Sequence, residues 1–259
     1  MQKKIKKIIL KFGGSSISAP DKFLQIAKII ALRKKSYQQV VVVVSAMGET
    51  TNELIKLAKK ITKDPPKREL DMLISVGERI SISLLAMALW ERGIEAISFT
   101  GSQSGIITCE EHAEAKIIDV RPWRIVKELN REKVVIVAGF QGISRKKEIT
   151  TLGRGGSDTS AVALAIALKA EKVEFYKDVD GVYSEDPKCK PEAIFYPFLS
   201  YEKALEVVMR GEILHPRCIY LAKKNHIFLE VMSYKNANRK TIIGEKKERT
   251  QPVFEEVSC

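Results

Sequence analysis

"KIILKFGGSSISAPDKFLQIAKIIALRKKSYQQVVVVVS", residues 7–45, decides the fold. KIIL at 7–10 is a short apolar run that ends in Lys11-Phe12-Gly13-Gly14. Asp21–Lys35 then repeats apolar residues at helical spacing (Phe23, Leu24, Ile26, Ala27, Ile30, Leu32), with an acidic residue in its first turn. VVVVVS at 40–45 is almost wholly β-branched, the signature of a strand buried on both faces. Strand, helix and buried strand in that order make a βαβ unit.

The same rhythm runs on. Asn52–Lys63 is amphipathic and stops at the Pro65-Pro66 break, and Glu69–Arg92 carries one long helix or two, with Gly93 as the stop. EAISFT at 95–100 and KVVIVAGF at 133–140 read as further buried strands. Ser160–Lys169 reads as a helix, VEFYKDV at 173–179 as a strand, Ser200–Gly211 as a helix and Ile227–Ser233 as a strand. TIIG at 241–244 reads as a last edge strand, and the polar residues 245–259 as a loose tail. The expected fold class is α/β: a three-layer sandwich with a mostly parallel central sheet and helices on both faces.

Composition removes several classes of function. The chain has 259 residues, 45% of them hydrophobic and 29% charged, as in an ordinary globular domain. No stretch reads as a membrane span, because Ile80–Trp90 carries serines and is closed by charged pairs. The N-terminal apolar core is too short for a secretory signal, so a cytoplasmic location is expected. The four cysteines are scattered without a CxxC pair and the three histidines form no cluster, so no dedicated metal site is expected. The formal charge of +12 raises nucleic-acid binding. The lysines are spread over short runs without an RNA-binding signature, so solvated faces, or attraction of a polyanionic small molecule, explain them better.

Glycine-rich turns carry the chemistry. In KFGGSS (11–16), two glycines let backbone approach a ligand, and Ser15 and Ser16 are candidate caps for the next helix. A plain strand–turn–helix with an exposed lysine is the alternative, and the Walker pattern is absent. LGRGGSDTSA (152–161) again joins a loop to a helix. Arg154 can clamp a carboxylate or phosphate bidentately. Asp158 is odd company for an anion unless it orients a nearby cation, for which Lys11 is the best candidate. YKDVDGVYSEDPK (176–188) reads as a plain turn or as a surface for a nucleotide. Glu78 in GERIS (77–81) reads as a helix-dipole partner or as a carboxylate that grips a substrate ammonium.

Taken together, KFGGSS, VVVVSAMGETTNEL, SVGERIS, GFQG, TTLGRGGSDTSA, DVDGVYSEDPK and ILHPR resemble, in order and spacing, the aspartate kinases of the amino-acid kinase superfamily. The resemblance covers residues 5–244 and implies the amino-acid kinase fold. It implies one catalytic domain over 1–244, with an amino-acid lobe to about residue 170 and a nucleotide lobe from about 171 to 244, followed by the tail at 245–259. The activity it implies is transfer of the γ-phosphoryl of MgATP to the side-chain carboxylate of L-aspartate. That is the first step toward lysine, methionine and threonine. The implied roles put Lys11 beside the phosphoryl with Asp158 holding it. Arg154 takes the α-carboxylate with Ser157 nearby, Glu78 takes the ammonium, and Thr51 and Phe140 line the amino-acid pocket. Gly13, Gly14 and Ser15 cradle phosphates, Asp178, Tyr183 and Lys188 contact ATP, and Mg²⁺ arrives with the nucleotide.

The resemblance also implies a homodimer. Three departures from the family pattern stand out. Lys177 replaces the usual threonine. Arg210–Pro216 is one residue short and lacks a second phosphate-facing lysine, which leaves Arg210 or Lys188 to compensate or the chain as a weak or silent binding protein. The family commonly continues past TIIG into two regulatory ACT domains, whereas this sequence stops about fifteen residues later, so feedback inhibition by lysine or threonine is not expected.

Overall fold

The computed structural model describes residues 5–187, 189–208, 213–235, 239–245 and 252–257. The chain opens with β1 (Lys7–Phe12), a 3₁₀ turn at Gly14–Ile17, α1 (Pro20–Ser36) and β2 (Gln39–Val44). Three helices follow, α2 (Thr50–Ile61), α3 (Lys67–Ile74) and α4 (Val76–Trp90). Next come β3 (Ala96–Phe99), β4 (Ile106–Thr108), β5 (Ile117–Val120), α5 (Trp123–Leu129) and β6 (Val134–Ala138). The centre of the site is made by β7 (Gln141–Ser144), β8 (Ile149–Thr151), α6 (Gly156–Leu168) and β9 (Lys172–Lys177). The rest is β10 (Val182–Tyr183), β11 (Phe195–Tyr196), β12 (Phe198–Leu199), α7 (Tyr201–Val208), α8 (Pro216–Lys224), β13 (Phe228–Ser233) and β14 (Lys240–Ile243).

Eight strands form the main sheet in the order β12-β14-β13-β9-β1-β2-β6-β3. From β13 to β3 every pairing is parallel, and β14 joins antiparallel. The expected mostly parallel α/β sheet is therefore present. TIIG is not its edge: Phe198–Leu199 pairs outside it, a two-residue strand too short to show a pattern.

Side-chain alternation assigns the two faces. Ile8, Leu10 and Phe12 of β1 join Val40, Val42 and Val44 in a core shared with α1 and α4. Ile9 joins Val41, Val43, Val173 and Phe175 in a second core beneath α6 and α8. By the same parity Lys11 falls on the α6 face. Helix α6 is apolar and buried nearly all round because it is sandwiched between the sheet and α8.

Other expectations change. Ser15 and Ser16 cap no helix: α1 starts at Pro20 behind Ala19 without a side-chain cap, and Ser16 Oγ donates to the Tyr176 carbonyl instead. The segment Lys67–Trp90 is long and apolar enough to cross a membrane by length and composition, contrary to the sequence reading. Half of its most apolar window is buried in the protein, and it is divided into α3 and α4 at Ser75.

The tail is not loose where it is described. The Glu255 amide donates to the Ile117 carbonyl and the Ile117 amide donates to Glu255 Oε2, Val253 N–H donates to Asn225 Oδ1, and Phe254 packs on the core. Polar composition hides this because its anchor, Arg217, lies far away in sequence.

Candidate active site

Two loops meet where the strands β1 and β2 end. A Cβ on Gly14 would lie 2.9 Å from the Ala46 carbonyl oxygen, so only a glycine permits this approach. A third loop enters from β8. There Gly155 adopts φ 69°, and a Cβ on it would lie 2.2 Å from His215 Cβ. This turn delivers α6 with its first amides toward β1, and the ILHPR segment packs directly behind it.

Asp158, in the first turn of α6, meets Lys11 on the face of the sheet that α6 covers. Lys11 Nζ lies 2.6 Å from Asp158 Oδ1. Lys177 Nζ lies 3.3 Å from Asp158 Oδ2. Burial alone would raise the Asp158 pKa, but the two ammonium groups overrule it and hold the carboxyl at about 2. Burial lowers the Lys11 pKa, and repulsion from Lys177 adds to that, while Asp158 opposes it. The lysine is thus inside the protein, which excludes the exposed-lysine alternative.

Lys11 and Asp158 form one wall of a cavity of about 540 Å³. Thr51, Glu78, Phe140, Arg154 and Ser157 line the same cavity, as does Gly14. Glu78 is 2% exposed. Its Oε1 accepts from the Ala46 amide at 3.0 Å, whereas its Oε2 is buried and has no hydrogen-bond partner among the described residues. Burial pushes this carboxyl up to about 8, with the Ala46 bond and the Lys11 charge only partly opposing it. Arg154 stands exposed at the cavity rim. Phe140 adopts φ 67°, held by its amide on Ser160 Oγ and its carbonyl on the Leu152 amide.

A second cavity of about 730 Å³ lies past the end of β9. Lys177, Asp178, Tyr183, Val207 and Ile213 are among the residues that line it. Tyr183 Oη donates to Asp180 Oδ1 at 2.8 Å, and its ring meets Phe195 edge-on at 5.3 Å. Gly13 adjoins the Lys11 ammonium. Ser15 is exposed on the 3₁₀ turn and lines neither cavity. Lys188, Arg210 and Glu212 lie outside the described residues.

The two cavities flank a buried lysine–aspartate–lysine group. The amino acid kinase family model covers residues 6–233. This chain belongs to the amino acid kinase family. Within that family it is 51% identical over 240 residues to an aspartokinase of Bacillus sp. (strain MGA3), an overlap of 92% of this chain and 58% of that protein. An aspartate kinase structure from Synechocystis superposes with a TM-score of 0.84 at 42% identity, covering 95% of this chain and 41% of that one. E. coli aspartokinase III, in complex with aspartate and ADP, superposes with a TM-score of 0.83 at 27% identity, covering 94% and 65%. The chain spans 56–60% of the length of that Bacillus protein and of several other curated aspartokinases.

The family reading of single motifs misses two groups. Asp71, fully buried on α3, accepts from Thr151 Oγ1 at 2.5 Å and from the Ala113 amide, and pairs with His112 Nδ1 at 2.7 Å. It braces the wall of the first cavity, and no motif marks it. Lys177 is the second, and its alternation with Val173 and Phe175 is the signal that places it on the α6 face.

Proposed function

We propose that this chain transfers the γ-phosphoryl of ATP to the side-chain carboxylate of L-aspartate, giving 4-phospho-L-aspartate and ADP. The observation that carries the reading is the unpartnered Glu78 Oε2, buried in a cavity that also holds Arg154 and Lys11. An α-amino acid brings one ammonium and one α-carboxylate, and the cavity offers a carboxyl for the first and a guanidinium for the second. Ser157 and Thr51 complete its polar lining, and Phe140 closes the apolar side. The side-chain carboxylate is then directed to Lys11.

The chemistry needs no base, since the attacking carboxylate is ionised at neutral pH. One of its oxygens forms the new bond to the γ-phosphorus. The bond from phosphorus to the β–γ bridging oxygen breaks, and its electron pair stays on ADP. The obstacle is repulsion between two anions, so fixed cations and amides supply most of the acceleration. Lys11 stabilises the charge on the transferring group, and Asp158 keeps that lysine aimed. Gly13 and Gly14 allow the phosphates a close approach, while Asp178, Tyr183 and Lys188 serve the nucleotide.

Mg²⁺ bound to the nucleotide would neutralise phosphate charge, and the exposed carboxylates that line the second cavity, Asp178, Glu185 and Asp186, are the groups suited to hold it. A cytoplasmic location and a homodimer belong to the same reading; sedimentation velocity measures the latter.

The deciding experiment is ADP release from MgATP with and without L-aspartate, with hydroxylamine added to trap the acyl phosphate. Aspartate-dependent turnover that yields the hydroxamate and is lost in Lys11→Ala is the expected result. Turnover with glutamate or carbamate in place of aspartate would overturn the substrate assignment.

A further inference from the structure

Asp158 carries one negative charge and touches two ammonium groups, Lys11 at 2.6 Å and Lys177 at 3.3 Å. The three side chains are 5%, 7% and 17% exposed for Lys11, Asp158 and Lys177, so the group holds a net positive charge with little water to screen it. Among the described residues Asp158 is the only ion-pair partner of Lys11 and Lys177, although Asp178, Glu185 and Asp186 line the same cavity as Lys177. Burial depresses the His215 pKa, Glu78 is held largely protonated at neutral pH, Cys218 is a buried thiol whose pKa is raised, and Arg154 adds a further positive charge at the rim. An excess cation enclosed in this way is completed by an anionic ligand.

Position then decides which ligand. β9 is parallel to β1 in the register Lys11↔Phe175 and Phe12↔Tyr176, so Lys177 lies one residue beyond the paired segment. Val173 and Phe175 lie in the core beneath α6, and Lys177 shares their face. Lys11 and Asp158 line the cavity with Arg154 and Glu78, whereas Lys177 lines the one with Asp178 and Tyr183. Asp158, which lines the first cavity, touches Lys177, which lines the second. We propose that Lys177 is a second phosphate-binding cation, which grips the terminal phosphates of the nucleotide from the second cavity while Lys11 faces the same phosphoryl from the first. Asp158 holds the two ammonium groups apart with the transferring group between them.

This inference rests on the kinase reading above, and its test separates the two. Lys177→Met removes the charge, and Lys177→Arg keeps it. ATP, ADP and AMP binding are measured by calorimetry for each protein, alongside aspartate-dependent turnover. Lys177→Met is expected to weaken ATP at least tenfold while AMP changes less than twofold, and to lower kcat about 100-fold with aspartate KM unchanged. Lys177→Arg recovers most of the ATP affinity. Thermal unfolding of Lys177→Met does not fall, because Lys11 and Asp158 remain paired one to one. A structural counter-ion alone would leave the ATP-to-AMP ratio unmoved. ATP affinity and kcat within twofold of the parent protein would overturn the assignment of Lys177. If the parent protein shows no aspartate-dependent turnover, the kinase reading falls instead, and the ATP-to-AMP ratio still decides whether Lys177 binds phosphate.

Discussion

Lys11 Nζ lies 2.6 Å from Asp158 Oδ1 at the end of β1, and both side chains are less than a tenth exposed. A pair this deep adds little net stability over apolar packing, but removal of one partner leaves an uncompensated buried charge. Asp158→Asn therefore strands two lysines and is expected to cost about 3–5 kcal/mol, read as a lower urea midpoint. Asp158 titrates at about 2 in the folded protein against an ordinary 3.8. Its contribution is fully present above the ordinary value and disappears as pH falls toward 2. The asparagine variant lacks that acid-side loss, so the two stability curves converge at low pH. Curves that stay parallel down to pH 2 would show that the carboxylate does not carry the effect.

Glu78 titrates at about 8 when folded against an ordinary 4.5. Here the sign is reversed. Between those values the folded protein keeps a proton that the unfolded chain has lost, so this group's contribution to stability decreases as pH rises through that window. Glu78→Gln is neutral throughout and should become more stable than the parent protein above pH 8. An ammonium arriving at neutral pH stabilises the ionised carboxylate, so aspartate binding should release up to about one proton at pH 7. Calorimetry in buffers of different ionisation enthalpy counts that proton, and Glu78→Gln should abolish the release.

The first βαβ unit and the central strands are legible because five successive valines have only one comfortable environment, a strand covered on both faces. Parity along β1 also puts Lys11 on the face of Ile9, toward α6. The same rule applied to Val173, Phe175 and Lys177 exposes the second lysine. A comparison of motifs alone treats Lys177 as a tolerated departure from threonine. The sheet of β5-β4-β7-β8 is not legible, since its strands have only three or four residues and show no alternation. Asp71 has no signal either: its partners His112, Ala113 and Thr151 are at least 41 residues away in sequence.

Arg154 is exposed at the rim, and its loss should leave folding within about 0.5 kcal/mol of the parent protein. Its expected effect is on substrate. Arg154→Ala removes a bidentate grip on a carboxylate and should raise aspartate KM about 10–100-fold with kcat changed only a few-fold. Arg154→Lys should recover little, because a point charge does not reproduce the planar fork. An equal rise in the KM for ATP would assign Arg154 to the nucleotide instead.

Arg217 fastens the C-terminal segment to the site. Its guanidinium donates to both Glu255 carboxylate oxygens, to the Ala115 carbonyl at 2.6 Å and to the Leu152 carbonyl. Glu255 Oε2 also accepts from the Ile117 amide at 2.7 Å. Leu152 precedes the Gly153–Asp158 turn, so one side chain ties residues 252–257 to the loop that bears Arg154. Arg217→Ala leaves two carbonyls and a carboxylate without their donor. The pair is partly solvated, so the expected cost is about 2–3 kcal/mol, below that of a fully buried pair. Amide exchange at Glu255, Val253 and Ile117 should accelerate well beyond that of β1 and β2, whose amides open only with global unfolding. Uniform acceleration across the sheet would mean that Arg217 supports the whole fold rather than this clasp.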